Sequence, residues 1–200
     1  MTVLPAPMHA VAGRPPDNPA WAIELQWDGV RVLAACDGVR CRLVGADRRE
    51  VTGSYPEVAA AVVAVARKRA LILDGVIRAE TPSAAKSLRS LPRHPRESRP
   101  TARLCAFDLL AIEERDLTSS PYLVRRHRLE GLGRGHALVS VAPSWRGIEA
   151  AQLLHAAAEH NARGIVSKEI ESAYHAGRCS PAWIATSIHA GALPPEPVKA

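Results

Sequence analysis

The feature that most constrains the fold is residues 21–44, "WAIELQWDGVRVLAACDGVRCRLV", where apolar and polar residues alternate and Asp-Gly occurs twice. Alternation at period two puts one side of a strand in a core and the other elsewhere. Asp-Gly is a strong short-turn signal, because both residues tolerate positive φ. The stretch therefore predicts strands over "WAIELQW" and "RVLAACDGVRCRLV", a hairpin at Asp37-Gly38, and a "DGVR" turn between two strands.

Residues 1–19 contain five prolines and read as an extended lead-in, with the body beginning near residue 20 at Trp21. Pro56 suits the first position of a helix through about Ala70, "PEVAAAVVAVARKRA", whose basic residues would fall in the last turn and complement the helix dipole. "ALILDGVIRAE" (70–80) and "ARLCAFDLLAI" (102–112) predict buried strands. Between them, "TPSAAKSLRSLPRHPRESRP" reads as a helical turn and a basic surface loop. A second Pro-started helix is predicted at Pro121. The glycines of "GLGRG" lack the G-x-G-x-x-G spacing and read as its end rather than as a phosphate cradle. A strand near 137–142, a helix from about 146 to 160 and the strand "GIVSKEI" from Gly164 complete the body, with a tail over 190–200. Strands and helices in this order, with hairpin signals, predict an α+β domain.

With 47% hydrophobic residues in 200, the chain can bury a sizeable core, and a formal net charge of +6 favours polyanionic partners. Lysine occurs only at Lys68, Lys86, Lys168 and Lys199. Cys36, Cys41, Cys105 and Cys179 form no C-x-x-C pair, and the N-terminus lacks the order of a signal peptide, so a reducing cytoplasm is expected. His155 and His160 are five apart, on different helix faces, and no metal site is expected. No apolar run approaches the ~20 residues of a membrane span.

Six short stretches occur in a recognisable order: "PMHA", "ELQWDGVR", "VTGSYPEV", "LDGVI", "FDLL" followed by "RDLTSSPYLVRRHRLEGL", and "RGIVSKEIESAYHAGRCSPAWI". Together they make the chain from about Pro7 to His189 resemble the adenylation (nucleotidyltransferase) domain of ATP-dependent DNA ligases, especially the ligase module of bacterial end-joining ligases. The resemblance implies an α+β fold of mostly antiparallel sheets flanked by helices, over residues 20–189. It also implies ATP as the nucleotide, and DNA and DNA-repair proteins as partners. Family ligases carry an OB-fold after this domain, and "SIHAGALPPEPVKA" is too short for one, so nick sealing by this chain alone is not expected.

Against that family the chain departs at the positions that carry the chemistry. The motif K-x-D-G-x-R has Gln26 in place of the lysine that attacks the α-phosphate of ATP to form lysyl-AMP. An amide nitrogen shares its lone pair with its carbonyl and is no nucleophile. Val76 replaces the acid of "LDGE", and Arg163 replaces the glutamate of "EG(V/I)VxK". Ala185 and Ser187 match the lysines of the last motif, and Ala46 matches the arginine of "SRNGxD". Loss of both acids counts against magnesium, which needs carboxylate oxygens. Net charge over the five catalytic positions is nonetheless unchanged, so Arg163 and Lys168 could hold a phosphate without metal.

Glu24, Trp27, Asp28, Gly29, Arg31, Phe107, Asp108 and Lys168 match the family. By resemblance, Glu24, Arg31, Phe107 and Lys168 form the nucleotide-binding set: Arg31 toward ribose or phosphate, Phe107 stacked on the base, Lys168 toward the α-phosphate. The alternative is structural, with glycine, aromatic and aspartate positions holding the turn and the core, and Arg31 and Lys168 in salt bridges. Of the four lysines, only Lys168 lies on a strand expected to line the pocket, and it is expected to contact phosphate rather than to attack. Three functions follow: a degenerate adenylation domain without ligase activity, kept as a nucleotide- or DNA-associated accessory; an active enzyme using a displaced lysine or a partner; or a noncatalytic DNA- or protein-binding module.

Overall fold

The computed structural model describes residues 4–79, 101–132 and 136–188. The basic stretch from Thr81 to Pro100, most of "GLGRG", the 190–200 tail, Lys86 and Lys199 lie outside them. In chain order the elements are β1 (His9–Ala12), β2 (Trp21–Gln26), β3 (Val30–Cys36), β4 (Cys41–Gly45), α1 (Pro56–Ala66), β5 (Leu71–Ala79), β6 (Ala102–Ile112) and β7 (Arg115–Asp116). Then come α2 (Tyr122–Glu130), β8 (Val139–Val141), β9 (Ser144–Trp145), α3 (Ala150–Glu159), β10 (Gly164–Glu169) and β11 (Cys179–Ser187).

Two sheets result. The first has the order β1-β11-β10-β2-β9 and the second β4-β3-β5-β6-β7, with β8 also on β6. All strand pairs are antiparallel except β1 with β11 and β6 with β8. The expected α+β class of mostly antiparallel sheets is what forms.

Period-two alternation builds four layers. Val32, Ala34 and Cys36 of β3 and Leu71, Leu73 and Ile77 of β5 pack under Val58, Val62 and Val65 of α1. Ile23 and Leu25 of β2 and Ile165 of β10 pack under Leu153 and Ala157 of α3. The opposite faces meet between the sheets, where Leu33, Leu110, Ile72 and Phe107 contact Met8, Val166, Ala182 and Trp183. Asp28-Gly29 carries the chain from β2 in one sheet to β3 in the other, so the "DGVR" turn joins layers rather than closing a hairpin.

Several sequence expectations change. The proline-rich lead-in contributes β1, an edge strand parallel to β11, and Met8 is wholly buried. Helix α1 stops at Ala66, four residues before the expected end, and holds no basic residue in its last turn. Arg67 and Lys68 are left-handed, at φ 49° and 66°, and reverse the chain into β5. Helix α3 begins at Ala150, because Ser144–Trp145 pairs with β2 as β9 first.

Candidate functional site

The side chains singled out in the sequence converge because the strand registers put them on the facing surfaces of the two sheets. In the first sheet Gln26 is opposite Gly164, Lys168 is opposite Ala22 and Trp183, and Ala185 is opposite Val166. Glu24, Gln26, Lys168, Trp183, Ala185 and Ser187 therefore share the face turned away from α3. In the second sheet Arg31 is opposite Val76 and Leu33 opposite Asp74, all on the face turned away from α1.

Glu24 and Lys168 form the centre. Their side chains are only 3% and 2% exposed, and Nζ of Lys168 lies 2.8 Å from Oε2 of Glu24. The same ammonium donates to the carbonyl oxygen of Phe107 at 3.1 Å. It also sits 4.6 Å from the Phe107 ring centre and 4.4 Å from that of Trp183. Glu24 further accepts a 2.5 Å hydrogen bond from the Tyr122 hydroxyl, and Arg126 approaches it at 3.5 Å. Burial, reinforced by the Glu24 carboxylate, pushes the Tyr122 phenol well above its ordinary range. A buried charge without a partner would cost several kcal/mol, so this network is what allows Lys168 to lie inside.

A second pair lies across the layer. The Arg31 guanidinium donates twice to Asp74, at 3.1 and 2.7 Å, and the Tyr174 hydroxyl donates to the same carboxylate at 2.7 Å. The Tyr174 oxygen in turn accepts the backbone N–H of Met8. Burial would lower the Arg31 pKa, but the Asp74 carboxylate raises it above the ordinary value. Arg31 also lies 5.3 Å from the Phe107 ring centre, and Trp183 meets Phe107 edge-on at 6.0 Å. A base stacking on Phe107 has to share the ring with these groups.

Gln26 ends β2, and its Oε1 is buried with no hydrogen-bond partner. Val76 faces the turn: a Cβ on Gly29, whose φ is 156°, would stand 2.6 Å from Val76 Cγ1 and 2.2 Å from the Ile77 carbonyl oxygen. That close approach demands glycine at this position. Ala46 is exposed in the turn after β4. Asp108 is wholly buried and bound twice by Arg125, at 2.8 and 3.0 Å, which fixes α2 to β6.

Arg163 and Lys168 do not form the joint phosphate clamp that the charge count allowed. Arg163 is 66% exposed, with Asp28 at 4.0 Å, while its backbone N–H is bonded to the Gln26 carbonyl oxygen. Five residues of extended chain, about 16 Å, separate it from Lys168. Lys168 instead faces Glu24, with its amine 2.8 Å from the carboxylate. Lys68 stands far off, against the Gly38 turn.

Among the described residues, no group of three or more His, Cys, Asp or Glu could hold a metal ion. With Val76 and Arg163 at the acid positions, the residues present do not fit magnesium. Sequence reading missed Asp74, Tyr122, Tyr174 and Trp183 as parts of the cluster. Each lies inside one of the six recognised stretches; Asp74 and Trp183 stand on largely apolar strands and Tyr122 at a helix start, while Tyr174, between β10 and β11, carried no local signal.

A family model described as "ATP dependent DNA ligase domain" matches residues 10–185. The multifunctional non-homologous end joining protein LigD of Mycolicibacterium smegmatis is 31% identical over 92% of this chain and 24% of its own length. A probable DNA ligase of Anaeromyxobacter dehalogenans is 33% identical over 82% of this chain and 33% of its own. This chain thus spans a quarter to a third of the length of these relatives. Among solved structures, mycobacterial DNA ligase D complexed with ATP and MES superposes with a TM-score of 0.78 at 28% identity, over 92% of this chain and 60% of that one. A chlorella virus DNA ligase-adenylate, at 13% identity and a TM-score of 0.67, shares the fold. The chain belongs to the ATP-dependent DNA ligase family, as an adenylation domain with the nucleotidyltransferase fold.

Proposed function

We propose that this is a degenerate adenylation domain that forms no covalent nucleotide intermediate and serves DNA repair or recombination as a noncatalytic, DNA- or nucleotide-associated accessory. One observation carries the reading: the nucleophile position holds the Gln26 amide, while Lys168, the one described lysine between the sheets, is held by Glu24 and the Phe107 carbonyl. An ammonium bonded to a buried carboxylate offers no free lone pair to phosphorus. Loss of the covalent route costs roughly 10⁴-fold or more in rate.

The repair context is supported by the LigD relatives, and DNA association by the net charge of +6. ATP remains the candidate nucleotide, bound without help from magnesium. Cytoplasmic placement fits the buried free thiols of Cys36, Cys41 and Cys105.

The test is incubation with ATP labelled at the α-phosphate, with magnesium, followed by denaturing electrophoresis. No labelled chain is expected; a label that survives denaturation, mapped to any lysine by mass spectrometry, overturns the proposal. DNA association is read separately, from affinity for nicked duplex that falls linearly in log–log form with salt.

A further inference from the structure

At the edge of the layer between the sheets, a cavity of about 730 Å³ lies between α2 and the β9 edge of the first sheet, lined also by Ala22, Tyr122 and Arg126. That volume falls within the roughly 300–1,000 Å³ of ordinary ligand sites. Leu123 and Val124 line it and are 37% and 42% exposed; among the described residues, Val39 is the only other large hydrophobic side chain exposed to this degree. One turn further along α2 stand His127 and Arg128, and Arg146 follows β9 on the opposite side. Among the described residues, neither Arg128 nor Arg146 has an ion-pair partner, whereas Arg126 is neutralised by Glu130 at 2.7 Å and by Glu24. Beside these side chains, β9 ends the sheet, so its outer backbone N–H and C=O groups face no strand among the described residues.

We propose that this groove takes an extended acidic peptide segment of a partner protein. The segment adds a strand outside β9, sets an apolar side chain on Leu123 and Val124, and places carboxylates at Arg128 and Arg146. The combination favours a peptide over nucleic acid. A phosphate backbone gains nothing from two apolar side chains or from an open strand edge, whereas a peptide supplies both the apolar anchor and the backbone that such an edge pairs with. The proposal is independent of whether the interior site is catalytic.

The experiment uses the full chain and a fluorescein-labelled seven-residue peptide alternating glutamate with leucine. Anisotropy should show saturable binding that salt weakens, with no binding by the same peptide carrying lysine for glutamate. The double variants Leu123→Glu/Val124→Glu and Arg128→Glu/Arg146→Glu alter exposed positions and should each weaken binding about tenfold or more, with unchanged circular dichroism. Hydrogen exchange at Ser144 and Trp145 should slow on binding. Absence of binding, binding indifferent to both double variants, or displacement of the peptide by short duplex DNA acting through the same arginines overturns the proposal.

Discussion

Replacing Lys168 by alanine tests whether its amine is a structural cation or a ligand-binding group waiting for phosphate. In the native chain its ammonium is 2.8 Å from Glu24 and 3.1 Å from the Phe107 carbonyl, both partners inside the protein. Removing one member of a buried pair costs about 3–5 kcal/mol, because the surviving charge stays desolvated. Glu24 keeps the Tyr122 hydroxyl and Arg126 at 3.5 Å, so the lower end, about 3 kcal/mol, applies. In a domain of this size each kcal/mol moves the melting temperature by about 2–4 °C, which predicts a fall of roughly 6–12 °C. The assay is urea unfolding followed by circular dichroism, with thermal melts alongside, on Lys168→Ala, Glu24→Gln and the double variant. The double should be less destabilised than the sum of the singles, with a coupling energy of about 1.5 kcal/mol or more. A Lys168→Ala protein within about 1 kcal/mol of the parent would refute the reasoning and return Lys168 to the role of a phosphate contact.

The Gln26→Lys variant should form no lysyl-AMP on incubation with labelled ATP and magnesium, since Val76 and Arg163 still stand at the acid positions; measurable self-adenylation would show those losses to be minor. Gly29→Ala should lose about 2 kcal/mol or more in urea unfolding, because its Cβ meets the Ile77 carbonyl oxygen at 2.2 Å. Stability should decline progressively as pH rises above about 9. Burial pushes the Cys41 thiol from 9.0 up to about 12 and the Cys105 thiol up to about 11, and it raises the Tyr122 and Tyr174 phenols. These groups ionise first in the unfolded chain, so their contribution is complete below pH 9 and falls by about 1.4 kcal/mol per group per pH unit as pH rises toward the folded values. Stability measured by urea at pH 8, 9.5 and 10.5 that does not decline would contradict the burial of these side chains.

What the sequence disclosed is uneven for physical reasons. Strands β2 to β6 and helix α2 were readable because their signals are local: alternation, Asp-Gly, proline at a helix start. Strands β1, β9 and β11 were not, since each takes its conformation from a distant partner; His9 pairs with Cys179 and Ser144 with Glu24. The proline content near β1 pointed away from a sheet, yet an edge strand tolerates prolines beside it. The positions of the site were legible from the order of the motifs. Their partners were not: nothing local says that Arg31 is spent on Asp74 or Lys168 on Glu24. Those pairings decide whether a cation is available to a ligand, and they appear only when both sheets are in register.

The same pairings bear on why ionic groups persist in the layer between the sheets. Leucine at both Glu24 and Lys168 would leave no charge orphaned, since Tyr122 keeps Ser144 at 3.1 Å and Arg126 keeps Glu130 at 2.7 Å. Exchanging a buried ion pair for apolar residues is often neutral or stabilising by about 1–4 kcal/mol, so Glu24→Leu/Lys168→Leu should unfold no earlier than the parent, in contrast to Lys168→Ala. What the pair supplies is register. A one-residue slip of β10 along β2 would turn Lys168 to the α3 side, among Ile23, Leu25, Leu153 and Ala157, where the ammonium would have no partner. With leucine at both positions that penalty disappears, and the two registers move closer in energy. The double-leucine protein should therefore keep its stability while hydrogen exchange in Gly164–Glu169 accelerates and near-ultraviolet circular dichroism weakens. A double-leucine variant that loses more than about 2 kcal/mol, or that keeps the parent's exchange pattern along β10, would show that the pair holds the layer together by its energy rather than by excluding the slipped sheet.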